Sequence, residues 1–99
     1  MAKPNKLEPG DRVAYAAKFL RDTGQFTGAA PQRRGTFVSY DTSSPGFARV
    51  KWDDFEDNAA YYDAQYGDDY TADARAHGQM VHANNIAKVG SPQFALNDL

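Results

Sequence analysis

The stretch Phe47-Ala48-Arg49-Val50-Lys51-Trp52-Asp53-Asp54 constrains this chain most. Apolar and polar residues alternate along it, which is the period of a half-buried β-strand. Ala48, Val50 and Trp52 fall on one face; Phe47, Arg49 and Lys51 fall on the other. Trp52 is the only tryptophan in 99 residues. A chain of this length builds one domain around one small core. The remaining apolar strands are therefore expected to converge on that indole.

Four further segments fit such a sheet. Gly10-Asp11 opens a strand over residues 12–16, with Val13 and Tyr15 on one face. Residues 33–40 are rich in β-branched and aromatic side chains. The turn from Asp41 to Gly46 folds them back onto 47–52 as a hairpin, with Asp, Pro and Gly each supplying its usual turn geometry. Residues 79–83 form a short fourth strand. Asn84-Asn85 breaks it through a single 3₁₀ turn, and residues 86–89 form a fifth. The expected core is Val13, Val38, Ala48, Val50, Trp52, Val81 and Ile86. Residues 18–32, with Gly24, Gly28 and Pro31, read as a long loop in which 18–21 make one helical turn. Phe19, Leu20 and Phe26 are expected to pack it. Residues 1–9 read as a flexible N-terminal arm and 90–99 as a C-terminal tail. The sum is an all-β fold, a small five-stranded SH3-like barrel over residues 10–89. An OB-like barrel, with a helix between its third and fourth strands, is the alternative.

Residues 53–78 depart from a minimal barrel. This insert between strands 3 and 4 holds eight acids, four tyrosines, Phe55 and a single base, Arg75. Tyr62 and Tyr66 are spaced i, i+4 with Gly67 as a stop, and Tyr70 and Ala74 repeat the pattern before Gly78. Two short helices joined at Gly67-Asp68 are expected. Neither is long enough to stand alone, so their tyrosines must pack on the barrel. The insert contributes no core strand, so the barrel is expected to fold without it.

The formal net charge of −2 hides an asymmetry. Residues 1–51 carry nine Lys/Arg against four acids, and residues 52–99 carry two against nine. Such halves either form a polar interaction surface or neutralise one another. There is no cysteine, which excludes disulfides, thiolate nucleophiles and cysteine-zinc sites and fits a reducing cytoplasm. No apolar run approaches the ~20 residues of a membrane span, so no membrane association is expected. Met1 to Pro9 has no apolar segment of a secretion signal.

No catalytic residue, metal or cofactor is assigned. Asp53 to Asn58 do not match calcium-loop spacing. His77 and His82 lack a third ligand for zinc. Ser39, Ser43, Ser44 and Ser91 have no nucleophile-elbow context, and Gly24, Gly28 and Gly35 form no phosphate loop. Two binding readings stay open. In the first, Phe55, Tyr61, Tyr62, Tyr66, Asp68, Asp69 and Tyr70 bind a protein partner, combining aromatic anchors with steering charge. In the second, Lys18, Arg21, Arg33, Arg34, Arg49 and Lys51 bind nucleic acid, with Tyr15, Phe37 or Tyr40 stacking bases. A net negative charge weighs against the second.

Four motifs carry a resemblance: Gly10-Asp11-Arg12-Val13, Arg34-Gly35-Thr36-Phe37-Val38, Ala48-Arg49-Val50-Lys51-Trp52-Asp53-Asp54, and Val81-His82-Ala83-Asn84-Asn85-Ile86. They resemble small SH3-like barrel proteins of phages and mobile elements, and the pattern is shared by KOW- and Tudor-like modules. The resemblance covers about residues 10–39, 47–54 and 79–89 and implies a barrel without implying an activity. The Gly-Asp-Arg-Val opening is also similar to that of the plasmid-encoded type II dihydrofolate reductases, whose tetramer encloses one pore. Their pore strand reads Val-Gln-Ile-Tyr, where this chain has Val81-His82-Ala83-Asn84. No reductase site is carried over, and a pore enzyme of that kind would require a symmetric oligomer.

Overall fold

The computed structural model describes residues 7–24 and 30–90. Strands run over Arg12–Tyr15 (β1), Gly35–Tyr40 (β2), Phe47–Trp52 (β3), Gln79–His82 (β4) and Ile86–Lys88 (β5). They form one antiparallel sheet in the order β4-β3-β2-β1-β5. Helices occupy Ala17–Asp22 (α1), Ala59–Tyr66 (α2) and Asp68–His77 (α3), with 3₁₀ turns at Ala30–Gln32, Glu56–Asn58 and Ala83–Asn85. Residues 1–6 of the expected arm, Phe26 and Gly28 of the long loop, and the tail 91–99 lie outside the described residues.

Two expectations are corrected. The fold is mixed, not all-β: among the described residues the helical ones outnumber those in strands. The insert's two glycine-stopped segments are both helical, and the expected turn at 18–21 extends to six residues, while the strands are only three to six residues long. The sheet is also open, with β4 and β5 at its edges.

The second correction concerns β2. Gly35 pairs with Trp52 and Phe37 with Val50, but the register then shifts so that Ser39 pairs with Arg49 and Tyr40 with Ala48. Val38 is the extra residue at this bulge, which bends the strand and resets its alternation. Phe37, opposite the buried Val50 and before the bulge, takes the core position expected of Val38, which is half-buried. The core comprises Leu7, Val13, Phe37, Ala48, Val50, Trp52 and Ile86, with Tyr15, Val81 and Ala83 packed against it. Leu7 enters from the segment expected to be an arm, and its N–H donates to the Tyr40 hydroxyl at 2.8 Å. At the other end, β5 closes onto β1, pairing Val13 with Lys88 and Tyr15 with Ile86.

Two glycines fix how close the layers come. A Cβ on Gly35 would lie 2.8 Å from Val50 Cγ1 and 2.9 Å from Trp52 Cε3, so β2 starts flat against the indole. Gly78 ends α3 at φ +90°, a conformation that favours glycine, and a Cβ there would lie 2.9 Å from the Val50 nitrogen. The exit of the insert is thus pressed onto β3. Phe55, Thr71 and Ala74 are buried, so the insert covers part of the sheet and does not hang free of it.

Burial of the indole sets the first prediction. Trp52→Ala should lose roughly 3–5 kcal/mol in urea unfolding. Gly35→Ala should lose about 1–3 kcal/mol through overpacking. An unchanged unfolding midpoint for Gly35→Ala would contradict the close approach described above.

Candidate interaction surface

β3 leaves the sheet through Asp53 and Asp54. The turn is tight: the Phe55 N–H donates to the Trp52 carbonyl at 3.1 Å, and the Asn58 N–H donates to the Phe55 carbonyl at 3.0 Å. The two carboxylates then diverge. Asp53 pairs bidentately with Arg12, whose Nη1 also donates to the Thr36 hydroxyl at 2.8 Å. Asp54 accepts from Arg33 Nε at 3.0 and 3.1 Å. Further along, Arg49 Nη1 donates to Asp73 at 2.9 Å and to the Gly78 carbonyl at 3.0 Å. Arg75 pairs with Glu56 within the insert, at 2.7 and 3.0 Å. Three ion pairs therefore join the basic first half to the acidic second half.

Arg33 has the richest surroundings. Its guanidinium lies 4.5 Å over the Trp52 ring. Its Nη1 donates to the Tyr15 hydroxyl and its Nη2 to the Tyr62 hydroxyl, each at 3.1 Å. The side chain is 16% exposed. Burial alone would lower its pKa, but the Tyr15 and Asp54 oxygens reverse that, so the group stays protonated. An open cleft of about 320 Å³ lies beside it, between Tyr15, Asp54, Asn58, Tyr61 and Tyr62.

The other residues expected to hold nucleic acid are dispersed in their bonding. Arg49 faces Asp73, and Lys18 pairs with Asp22 at 2.6 Å along α1. Arg34 is half-buried and donates to the carbonyls of Pro31 and Arg33 at 3.1 and 3.0 Å. Arg21 and Lys51 are exposed.

The residues expected to hold a protein form one aromatic row that runs from the core to solvent. Phe55 is 8% exposed and stacks on Tyr62 at 5.4 Å, so it anchors the row from beneath. Tyr62 meets Tyr61 at 5.8 Å and Tyr70 at 6.0 Å, and Tyr70 meets Tyr66 at 4.8 Å. Tyr62 and Tyr70 are half-buried, the latter accepting from Gln79 Nε2 at 3.0 Å. Tyr61 and Tyr66 end the row at 58% and 61% exposure. Asp68 and Asp69 are exposed in the first turn of α3, where the helix dipole favours them.

Asp57 and Asp63, exposed acids of the same insert, were not among the expected contacts. Asp63 lies i−3 from Tyr66 on the same helix, a spacing visible in the sequence. Arg12 was not expected as the partner of Asp53, and Tyr15, expected to stack on bases, instead accepts from Arg33 and tilts onto Trp52. No group of three or more His, Asp or Glu side chains that would suit a metal occurs among the described residues. No helix among them is long and apolar enough to cross a membrane. Comparison with protein-family models, curated protein sequences and solved structures returned no match.

The Arg12–Asp53 pair predicts a pH response. The hydrogen bond from Arg12 holds the Asp53 carboxyl below its ordinary value, with the Arg12 charge adding to it against partial burial. A depressed folded pKa gives stability that is present above the unfolded pKa and lost as pH falls through the folded one. Both side chains are about half exposed, so solvent screening limits the effect to within ~1 kcal/mol. Asp53→Asn should flatten the acid limb of the urea midpoint against pH while leaving the neutral plateau within that margin.

Proposed function

We propose that this chain is a non-catalytic protein-binding module or inhibitor that engages its partner through the outer face of the α2–α3 insert. One observation carries the reading. Tyr61 and Tyr66, the two most exposed large apolar side chains among the described residues, share the insert with Asp57, Asp63, Asp68 and Asp69, which are exposed and form no ion pair among those residues. Meanwhile Arg12, Arg33, Arg49 and Arg75 neutralise the other acids of the insert. Exposed aromatic anchors ringed by charge of one sign fit a basic partner surface, with the tyrosines supplying contact area and the acids supplying steering.

The nucleic-acid reading is weaker on the same ground. Arg33 and Arg49 are held by carboxylates, and the exposed acids repel phosphate. A relation to small SH3-like barrel proteins of phages and mobile elements rests on the sequence motifs; β5 lying beside β1 after a single 3₁₀ turn is compatible with the barrel part of that reading alone. A bacterial cytoplasm as its setting rests on the resemblance, and a chain without cysteine is compatible with it.

The test uses the intact protein as bait in a bacterial lysate. Capture should be released by salt. It should fall roughly 30-fold or more in a Tyr61→Ala/Tyr66→Ala variant of unchanged stability, the loss expected when each ring contributes at least about 1 kcal/mol. Labelled DNA and RNA should show no binding by fluorescence anisotropy at physiological ionic strength. Salt-sensitive nucleic-acid binding, or capture indifferent to both tyrosines, overturns the proposal.

A further inference from the structure

We propose that Tyr15, Trp52, Asp54 and Tyr62 form a guanidinium-binding site that folding fills with the chain's own Arg33, and that filling it docks α2 against the sheet. Each group answers one feature of a guanidinium. The indole offers a π-face to the flat cation. Asp54 accepts from Nε, and the Tyr15 and Tyr62 hydroxyls accept from the two terminal nitrogens. A planar fork with donors in several directions satisfies this set, whereas an ammonium on a flexible stem does not.

The four groups come from separate places: the end of β1, the end of β3, the turn after it, and α2. The turn is itself held, because Asn58 Nδ2 donates to the Asp54 carbonyl at 2.9 Å. α2 is the dependent part. It has eight residues and buries none of them, and a helix that short is not stable by itself. Its neighbour α3 has Thr71 and Ala74 to hold it on the sheet. α2 reaches the sheet side through Tyr62, whose ring lies on Phe55 and whose hydroxyl lies on Arg33. Removing the guanidinium leaves a carboxylate and two hydroxyls facing an emptied seat that opens on the adjoining cleft.

The single tryptophan makes the seat observable without reference to any partner. Arg33→Ala should shift the Trp52 emission. It should also raise amide exchange across 59–66 by about tenfold or more, the scale of a desolvated cation–π contact, while exchange in β2 and β3 changes less. Added guanidinium chloride, in the millimolar range, should reverse both changes saturably. Sodium or ammonium chloride at equal ionic strength should not, and the wild type, its seat already filled, should not respond. Arg33→Lys should behave as Arg33→Ala because charge alone does not satisfy the fork. Should Arg33→Ala fail to fold, Tyr62→Phe removes one acceptor and nothing else, and should raise exchange over 59–66 selectively. Unchanged exchange there in Tyr62→Phe, wild-type behaviour of Arg33→Lys, or rescue by sodium equal to that by guanidinium overturns the proposal.

Discussion

The Trp52 indole is approached from three directions by parts of the chain that are remote in sequence. Gly35 brings the start of β2 flat against it, Tyr15 tilts onto it from β1 at 5.0 Å, and Arg33 lies over it at 4.5 Å. None of these contacts tolerates much change in size. Packing as dense as this converts the identity of one residue into constraints on its neighbours. A larger side chain at 35 has no room, and a cation at 33 needs the ring and the oxygens around it. The charged turn after β3 can sit this near the core because its carboxylates meet arginines as they leave the strand.

Electrostatics and packing therefore do separate tasks here. The core is apolar and small. The pairs Arg12–Asp53, Arg33–Asp54 and Arg49–Asp73 lie around its rim and match the two oppositely charged halves of the chain to one another. The most exposed of them, Arg12–Asp53, contributes little stability by itself. Their larger effect is to settle which charges remain outward, and those that remain on the insert are acidic.

Much of the scaffold was legible in the chain. β3 has the expected boundaries because alternation ending in Trp52 admits one register. The insert's helices were marked by Gly67 and Gly78. What was hidden depended on tertiary pairing. The shift after Phe37 has no local signature, and Phe37 and Val38 are both acceptable core residues until the pairing of Phe37 with Val50 is known. Arg33 looked like a free surface base because nothing local to it announces Trp52, Asp54 and Tyr62, which lie 19 to 29 positions away. The same applies to Leu7, whose polar surroundings in sequence conceal its burial. The aromatic composition of the insert was plain, but which ring faces inward was settled by the turn that tucks Phe55 beneath Tyr62.

The pairing of β1 with β5 bears on the order of events during folding. Val13 and Lys88 are partners across most of the chain, so this contact carries the largest loop-closure entropy in the sheet. The β2–β3 hairpin is local and can form early; β1 gains its second neighbour last. On the ribosome, the apolar face of Val13 lacks the cover of Ile86 until β5 has emerged. Until then, the β2–β3 hairpin has an unfinished side.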